Sequence, residues 1–259
     1  MPFRDWSNLA TTDFAEGRLS NAVALLPLAA TEQHGPHLPL GTDAIIGDGV
    51  VAAAAGLLKS DPVQVLRLPT QPIGLSPEHA AFPGTLTLEP ATVLAAWTDI
   101  ATSVRAAGIE RLVLFNTHGG QEGLLPSLAA TLRSRLGMIA VYCSRGGFGR
   151  PAGLIPDEEA AIGLHAGLVE TSLMLALAPD LVRRDQAQNF TSRGSDLAGR
   201  AFTTHGRSGW GWAAQDLNPA GAMGNAAGAT EAIGQALLAH AADGLARLLR
   251  DVAGFKPYG

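Results

Sequence analysis

The sequence predicts a three-layer α/β/α fold around a mostly parallel central sheet. Short apolar runs alternate along the chain with longer segments of helical periodicity, and such alternation implies parallel strands joined by right-handed crossovers. The runs are bounded by glycine- and proline-rich turns. At 259 residues and 47% hydrophobic content, the chain has ample material for a core.

The elements follow in order. Residues 22–28 (AVALLPL) read as a first strand, and about 43–58 as a helix rich in Ala and Val. Residues 63–69 (VQVLRLP) form the second strand. The segment 88–107 is a helix entered through LEPAT, with Pro90 suited to its first turn. RLVLFN (111–116) is the third strand, set between Gly108 and a glycine pair; 123–136 is helical and MIAVYC (138–143) is the fourth strand. LVETSLMLALAPDLV starts as a short helix that stops near Pro179, residues 186–228 read as long surface loops, and 229–252 form a C-terminal helix. There is no internal repeat or linker, so one domain over 1–259 is expected.

Composition excludes several functions. A net charge of −5 with no Lys or Arg block argues against nucleic-acid binding. No apolar run reaches the roughly 20 residues that span a membrane. The N-terminal segment is polar and acidic, unlike a secretory signal, so a cytoplasmic location is expected. The single cysteine, Cys143, excludes a disulfide framework and a thiolate-rich zinc site, and it reads as a small buried residue. Small molecules or further copies of the chain are the expected partners.

Chemistry gathers where strands end, which is where open parallel sheets bind ligands. TEQHGPHLPLGTD (31–43) follows the first strand and carries Glu32, His34, His37 and Asp43. THGGQEG follows the third and carries His118, with Gly119 and Gly120 allowing a close backbone approach to a ligand. His165 and Glu170 lie in HAGLVETS, and Glu78 and His79 in GLSPEHAAFPGTLTLEP. Glu32, His34, Asp43, His118 and Glu170 make a carboxylate–imidazole donor set that suits zinc, manganese or iron(II). Five donors exceed one tetrahedral structural zinc and suit two metals sharing a bridging carboxylate. Glu78, His79 and Gly119 are the expected substrate-side residues. His37, between prolines, and His205 and His240 read as structural, and Glu122 as a solvent-facing residue at a helix start.

These segments resemble the creatininase (creatinine amidohydrolase) family. The matching stretches are LLPLAATEQHGPHLPLGTD, GLSPEHAAFPGTLTL, LVLFNTHGGQEG, HAGLVETSLMLALAPDLV and GNAAGATEAIGQALL, in order from about residue 20 to 240. The resemblance implies a dinuclear metal centre that hydrolyses a C–N bond of a cyclic or linear amide. It implies that Glu32, Asp43 and His118 hold one metal, and that His34 and Asp43 hold the other with Asp43 bridging. It also implies that His165 handles the proton for the leaving nitrogen, and that the chain forms a homo-oligomer, commonly a hexamer.

Three departures qualify the resemblance. Where the family's namesake has a glutamate two residues beyond the third-strand histidine, this chain has Gly120. The missing carboxylate is assigned to Glu170, with Glu122 as the alternative. The tryptophan expected four residues before the catalytic histidine is Ala161, and the one expected after the fourth strand is absent from YCSRGGFGR. The motif NGHGGN reads NTHGGQ, with Thr117 and Gln121.

The hydrolytic core is therefore intact while the creatinine lid is not, so a formamide, a lactam-like amide or a short peptide fits better than creatinine itself. Trp210 and Trp212 in a late polar loop suit either a substrate cover or a subunit contact. The rival reading is a metal-binding family member without catalysis. A serine hydrolase is excluded for want of a G-x-S-x-G elbow.

Overall fold

The computed structural model describes residues 3–197, 199–204 and 208–257. Strands β1 (Phe3–Asp5), β2 (Val23–Leu28), β3 (Val65–Arg67), β4 (Arg111–Asn116) and β5 (Ile139–Ser144) form one sheet in the order β1-β3-β2-β4-β5. Every neighbouring pair is parallel. The last four strands are those expected from the sequence. The first was not foreseen, because three residues, FRD, offer no alternation to read, and only pairing with β3 makes them a strand.

Side-chain alternation assigns the layers. On β2, Val23 and Leu25 enter one apolar cluster, while Ala24, Leu26 and Leu28 enter the other. On β4, Val113 and Phe115 join the first, and Leu112 and Leu114 the second. Helices α1 (Thr42–Leu57), α5 (Leu168–Leu177) and α7 (Glu231–Gly254) cover the first face. Helices α2 (Pro90–Ala106) and α3 (Leu125–Leu136) cover the second. The result is the expected α/β/α sandwich. Proline starts α2 where its missing N–H costs nothing, and α3 stops at Gly137, whose φ of +67° is a left-handed cap.

Helices α5 and α7 cross closely at Gly234, where an added Cβ collides with the Ser172 carbonyl in a buried helix. Gly234→Ala is therefore expected to destabilise the fold by about 1–3 kcal/mol, although alanine is the better helix former. The shift in chemical-denaturation midpoint measures it, and an unchanged midpoint would contradict the close crossing.

The remaining elements are short. They are α4 (Asp157–Ile162), α6 (Ala214–Leu217) and the antiparallel pair β6 (Asn189–Phe190) with β7 (Gly224–Asn225). The last three lie in the 186–228 segment expected to be loops, which also holds 3-10 turns at Arg193–Leu197 and Ala226–Gly228. His205 lies outside the described residues. Among the described residues no helix is long and apolar enough to cross a membrane.

What matters for function is the sheet order. β2 and β4 are direct neighbours with Leu28 paired to Asn116, so the two donor-bearing loops leave the sheet side by side at its carboxyl end.

Candidate metal centre

The loop from β2 to α1 is held in shape by backbone contacts of its own. Glu32 N–H donates to Leu40 O (3.0 Å) and Leu86 N–H to Thr31 O (2.9 Å). Gly35 turns at φ +66°, where a side chain would also strike Ala222. Asp43 sits in the first turn of α1, and the Thr117 hydroxyl of the neighbouring strand end donates to Asp43 O (2.9 Å). Thr117, one of the departures from the family motif, thus ties the two donor segments together.

Four of the five expected metal donors are almost fully buried, and Glu170 is half-buried. His118 Nδ1 lies 3.1 Å from Glu32 Oε1 and 3.5 Å from Asp43 Oδ2. His34 Nε2 lies 3.6 Å from Asp43 Oδ1, and His165 Nδ1 3.8 Å from Glu32 Oε1. Three triads are compact enough to hold an ion, with ligand atoms within 4.8 Å of one another: Glu32/Asp43/His118, His34/Asp43/Glu170 and Glu32/His34/His165. Asp43 belongs to two of them. Glu122 is exposed and enters no triad, so the geometry groups Glu170 with the donors.

The hydrogen bonds show what these groups are poised for. The remote nitrogen of each central histidine donates to a backbone carbonyl: His34 Nδ1 to Glu32 O (3.0 Å), His118 Nε2 to Leu75 O (2.8 Å) and His165 Nε2 to Gln33 O (2.7 Å). Each bond turns the other nitrogen toward the carboxylates, the arrangement that orients imidazole ligands. Glu32 Oε1 and Oε2, His34 Nε2 and Asp43 Oδ2 are buried without a hydrogen-bond partner. Leaving such groups unmatched is costly, so the cluster is built to receive cations.

The charges agree. Burial opposes ionisation of Glu32, yet the adjacent His118 charge, followed by those of His79 and His165, holds its carboxyl below the usual range. Burial likewise opposes charge on His34 and His118. The adjacent Asp43 carboxylate nevertheless raises His34 to about 9, and Glu32, followed by Asp43, raises His118 to about 10. Protons there occupy the place of the cations, which compete with them for the same lone pairs. Burial and the nearby His34 push His165 down to about 4, so its imidazole is neutral in this arrangement.

His79 differs from the other three. Gln33 Nε2 donates to its Nδ1 (2.7 Å), which leaves Nε2–H facing Glu32 Oε1 (3.4 Å), and its ring stacks on His165 at 4.2 Å. It buttresses the carboxylate as well as lining the cleft. Glu78 lies 3.5 Å from His118 Nε2, and a Cβ at Gly120 would collide with the Glu78 carboxylate. Glycine at 120 is therefore the condition for Glu78 to sit here, which gives that departure from the family pattern a physical cause.

Outside the cluster, His37 is buried against Phe190 and bonded to the Thr171 hydroxyl (2.9 Å), and His240 holds the Phe148 carbonyl (2.9 Å). Both are structural, as expected. Burial pushes the Cys143 thiol up to about 12, which leaves it no nucleophilic role.

The cluster forms the floor of a cleft of about 850 Å³. Glu78, His79, Gly119 and Glu122 line one side, and Trp210 and Trp212 line the other. The two tryptophans thus share the cleft with the donors, and Trp212 Nε1 donates to Thr204 O (2.7 Å). Ala161 is exposed on α4 and does not line the cleft.

Sequence reasoning missed three supports. Gln33 contacts His79, Gly221 and Gly35; Gln121 binds Asn116 and Ala29; and Glu159 accepts from Leu168 N and Asn225 N at 2.8 Å each. Gln33 and Gln121 sit inside the strongest motifs, which was their signal. Glu159 gave none, because its partners come from distant loops. Ala166, directly after His165, has φ +53°, a strained turn for alanine that aims His165 inward.

The creatininase model, described as creatinine amidohydrolase, matches residues 7–249. A mycofactocin precursor peptide peptidase of Mycolicibacterium smegmatis is 32% identical over 185 residues, 70% of this chain and 68% of that one. A Bacteroides fragilis structure described as a creatinine amidohydrolase superposes with a TM-score of 0.80 at 25% identity, covering 98% of each chain. A mutant creatininase of Zn–Zn type does so at 0.78, with 24% identity over 95% of this chain and 97% of that chain. With a donor cluster for two divalent cations on this fold, the chain belongs to the creatininase family of metal-dependent hydrolases.

Proposed function

We propose that the protein is a dinuclear-metal amidohydrolase that cleaves a C–N bond in a small linear amide, formamide-like or peptide-like. The observation that supports it most is the set of buried, unpartnered donor atoms on Glu32, His34 and Asp43 at the floor of an open cleft. Glu32, Asp43 and His118 would hold one ion, and His34, Asp43 and Glu170 the other. Zinc is the expected metal, with manganese and iron(II) admitted by the same donors. Two such ions polarise the scissile carbonyl and acidify a water molecule.

The chain's own residues do the rest. His165 Nε2–H is fixed on Gln33 O, so Nδ1 carries the lone pair that faces the site. It takes a proton there from the attacking water and returns it to the departing nitrogen. Gln33 and His79 hold Glu32 in place, and Glu78, Gly119 and the two tryptophans border the substrate. Creatinine fits less well, since Ala161 stands where the family's namesake has a tryptophan.

Metal analysis combined with a hydrolysis screen tests the reading. Two tightly bound divalent ions per chain and turnover of an N-formyl or short peptide amide are expected. Two bound metals with no activity on any amide would favour a non-catalytic role.

A further inference from the structure

Next to the main cleft at Glu170 lies a small polar chamber of about 110 Å³. It shares Glu170 and Leu164 with the cleft, so the two adjoin at one of the metal donors. Arg145 and Arg150 line the chamber, and Gly163 and Gly167 line it too, exposing backbone. Among the described residues neither guanidinium makes a hydrogen bond or a close ion pair, and the Arg145 charge is felt by Glu170 across the chamber. The loop that carries them is anchored to α7: His240 donates to Phe148 O (2.9 Å), and Phe148 packs flat against Gly244.

Position adds to the chemistry. Arg145 and Arg150 come from the YCSRGGFGR segment, which lacks a tryptophan, and Ala160 of the lining is the neighbour of Ala161, where the second tryptophan is missing. One departure from the aromatic pattern thus lines the chamber and the other lies one residue from its lining, and the chamber offers two guanidinium groups. Glu170 is its only carboxylate, and in the proposed site that charge belongs to a metal ion. The Glu159 carboxylate lies behind Gly163 and Gly167 but is taken up by the Leu168 and Asn225 N–H groups. The two guanidinium groups in the lining are of the kind that pairs with planar carboxylates in bidentate fashion. The volume admits a carboxylate and a little of its stem, not the body of a substrate.

We propose that this chamber is the subsite for a carboxylate carried by the amide substrate, and that Arg145, with Arg150, determines specificity for acids over neutral amides. The inference rests on the amidohydrolase reading of the adjoining metal site. The test therefore uses binding rather than turnover.

Zinc-loaded protein is titrated calorimetrically with alkyl hydroxamates, whose head groups bind metal. One series ends in a carboxylate after two to four methylenes, and matched series end in a carboxamide or a phosphonate. At the best spacer, the carboxylate compound is expected to bind at least about tenfold more tightly than its carboxamide. Arg145→Gln should abolish that advantage while leaving zinc content and carboxamide affinity unchanged; Arg145→Lys should keep part of it.

Equal affinity of acid and amide at every spacer would overturn the proposal, as would an advantage that survives an Arg145→Gln/Arg150→Gln double variant. Tighter binding of the phosphonate would overturn the choice of carboxylate. If no hydroxamate bound at all, the metal-centre reading would fail and take this subsite with it, an outcome distinct from the others.

Discussion

Asp43→Asn should empty the metal centre and drop hydrolysis to background, the largest effect of any single substitution here. The reason is geometric. Asp43 belongs to both the Glu32/Asp43/His118 and His34/Asp43/Glu170 triads, so in the proposed site one side chain would serve both ions. Asparagine keeps the volume and so spares the start of α1, but it removes the negative charge and turns an N–H₂ toward one of the two sites. Metal content after dialysis, read beside the melting temperature, measures it. A folded Asp43→Asn protein that retained two ions would show that Asp43 does not bridge. The companion pair is sharper still about the second site. Glu170→Gln should lose one ion and Glu122→Gln none, and the reverse pattern would transfer the ligand role to Glu122.

His165→Ala should do something different: turnover falls by about 10²–10⁴ while both metals stay bound. His165 Nδ1 points into the site, yet His165 also belongs to the Glu32/His34/His165 triad, so proton handling and metal binding are both geometrically open to it. Metal analysis separates them. Retained metal with collapsed kcat and little change in KM supports proton transfer, since that step is made in the transition state. Loss of an ion would make His165 a ligand, and full turnover would leave it with neither role. Because His79 stacks on His165, the melting temperature must be followed as well.

Much of this was legible in the chain. The periodicity of AVALLPL and RLVLFN gave two buried strands, and the residues just beyond them gave the donors, because open parallel sheets place ligands at carboxyl ends. The short strand FRD was not legible, since nothing local distinguishes it from a turn. Nor was the support of the site. Gln33, Gln121 and Glu159 act through partners tens to nearly two hundred residues away.

Gly120 shows the limit of reading a motif alone. In the sequence it is a lost carboxylate. In three dimensions it is the gap that Glu78 fills, from a loop about 40 residues earlier. Trp210 and Trp212 were equally ambiguous, and the fold places them in the lining of the cleft.

The sequence by itself determined the layer architecture, the donor types and hence the class of metal, because periodicity and ligand chemistry are local properties. Only the tertiary structure grouped Glu170, and not Glu122, with the other donors, and set Arg145 and Arg150 in a chamber beside them. Those facts depend on which strand ends become neighbours, and long-range packing alone sets that.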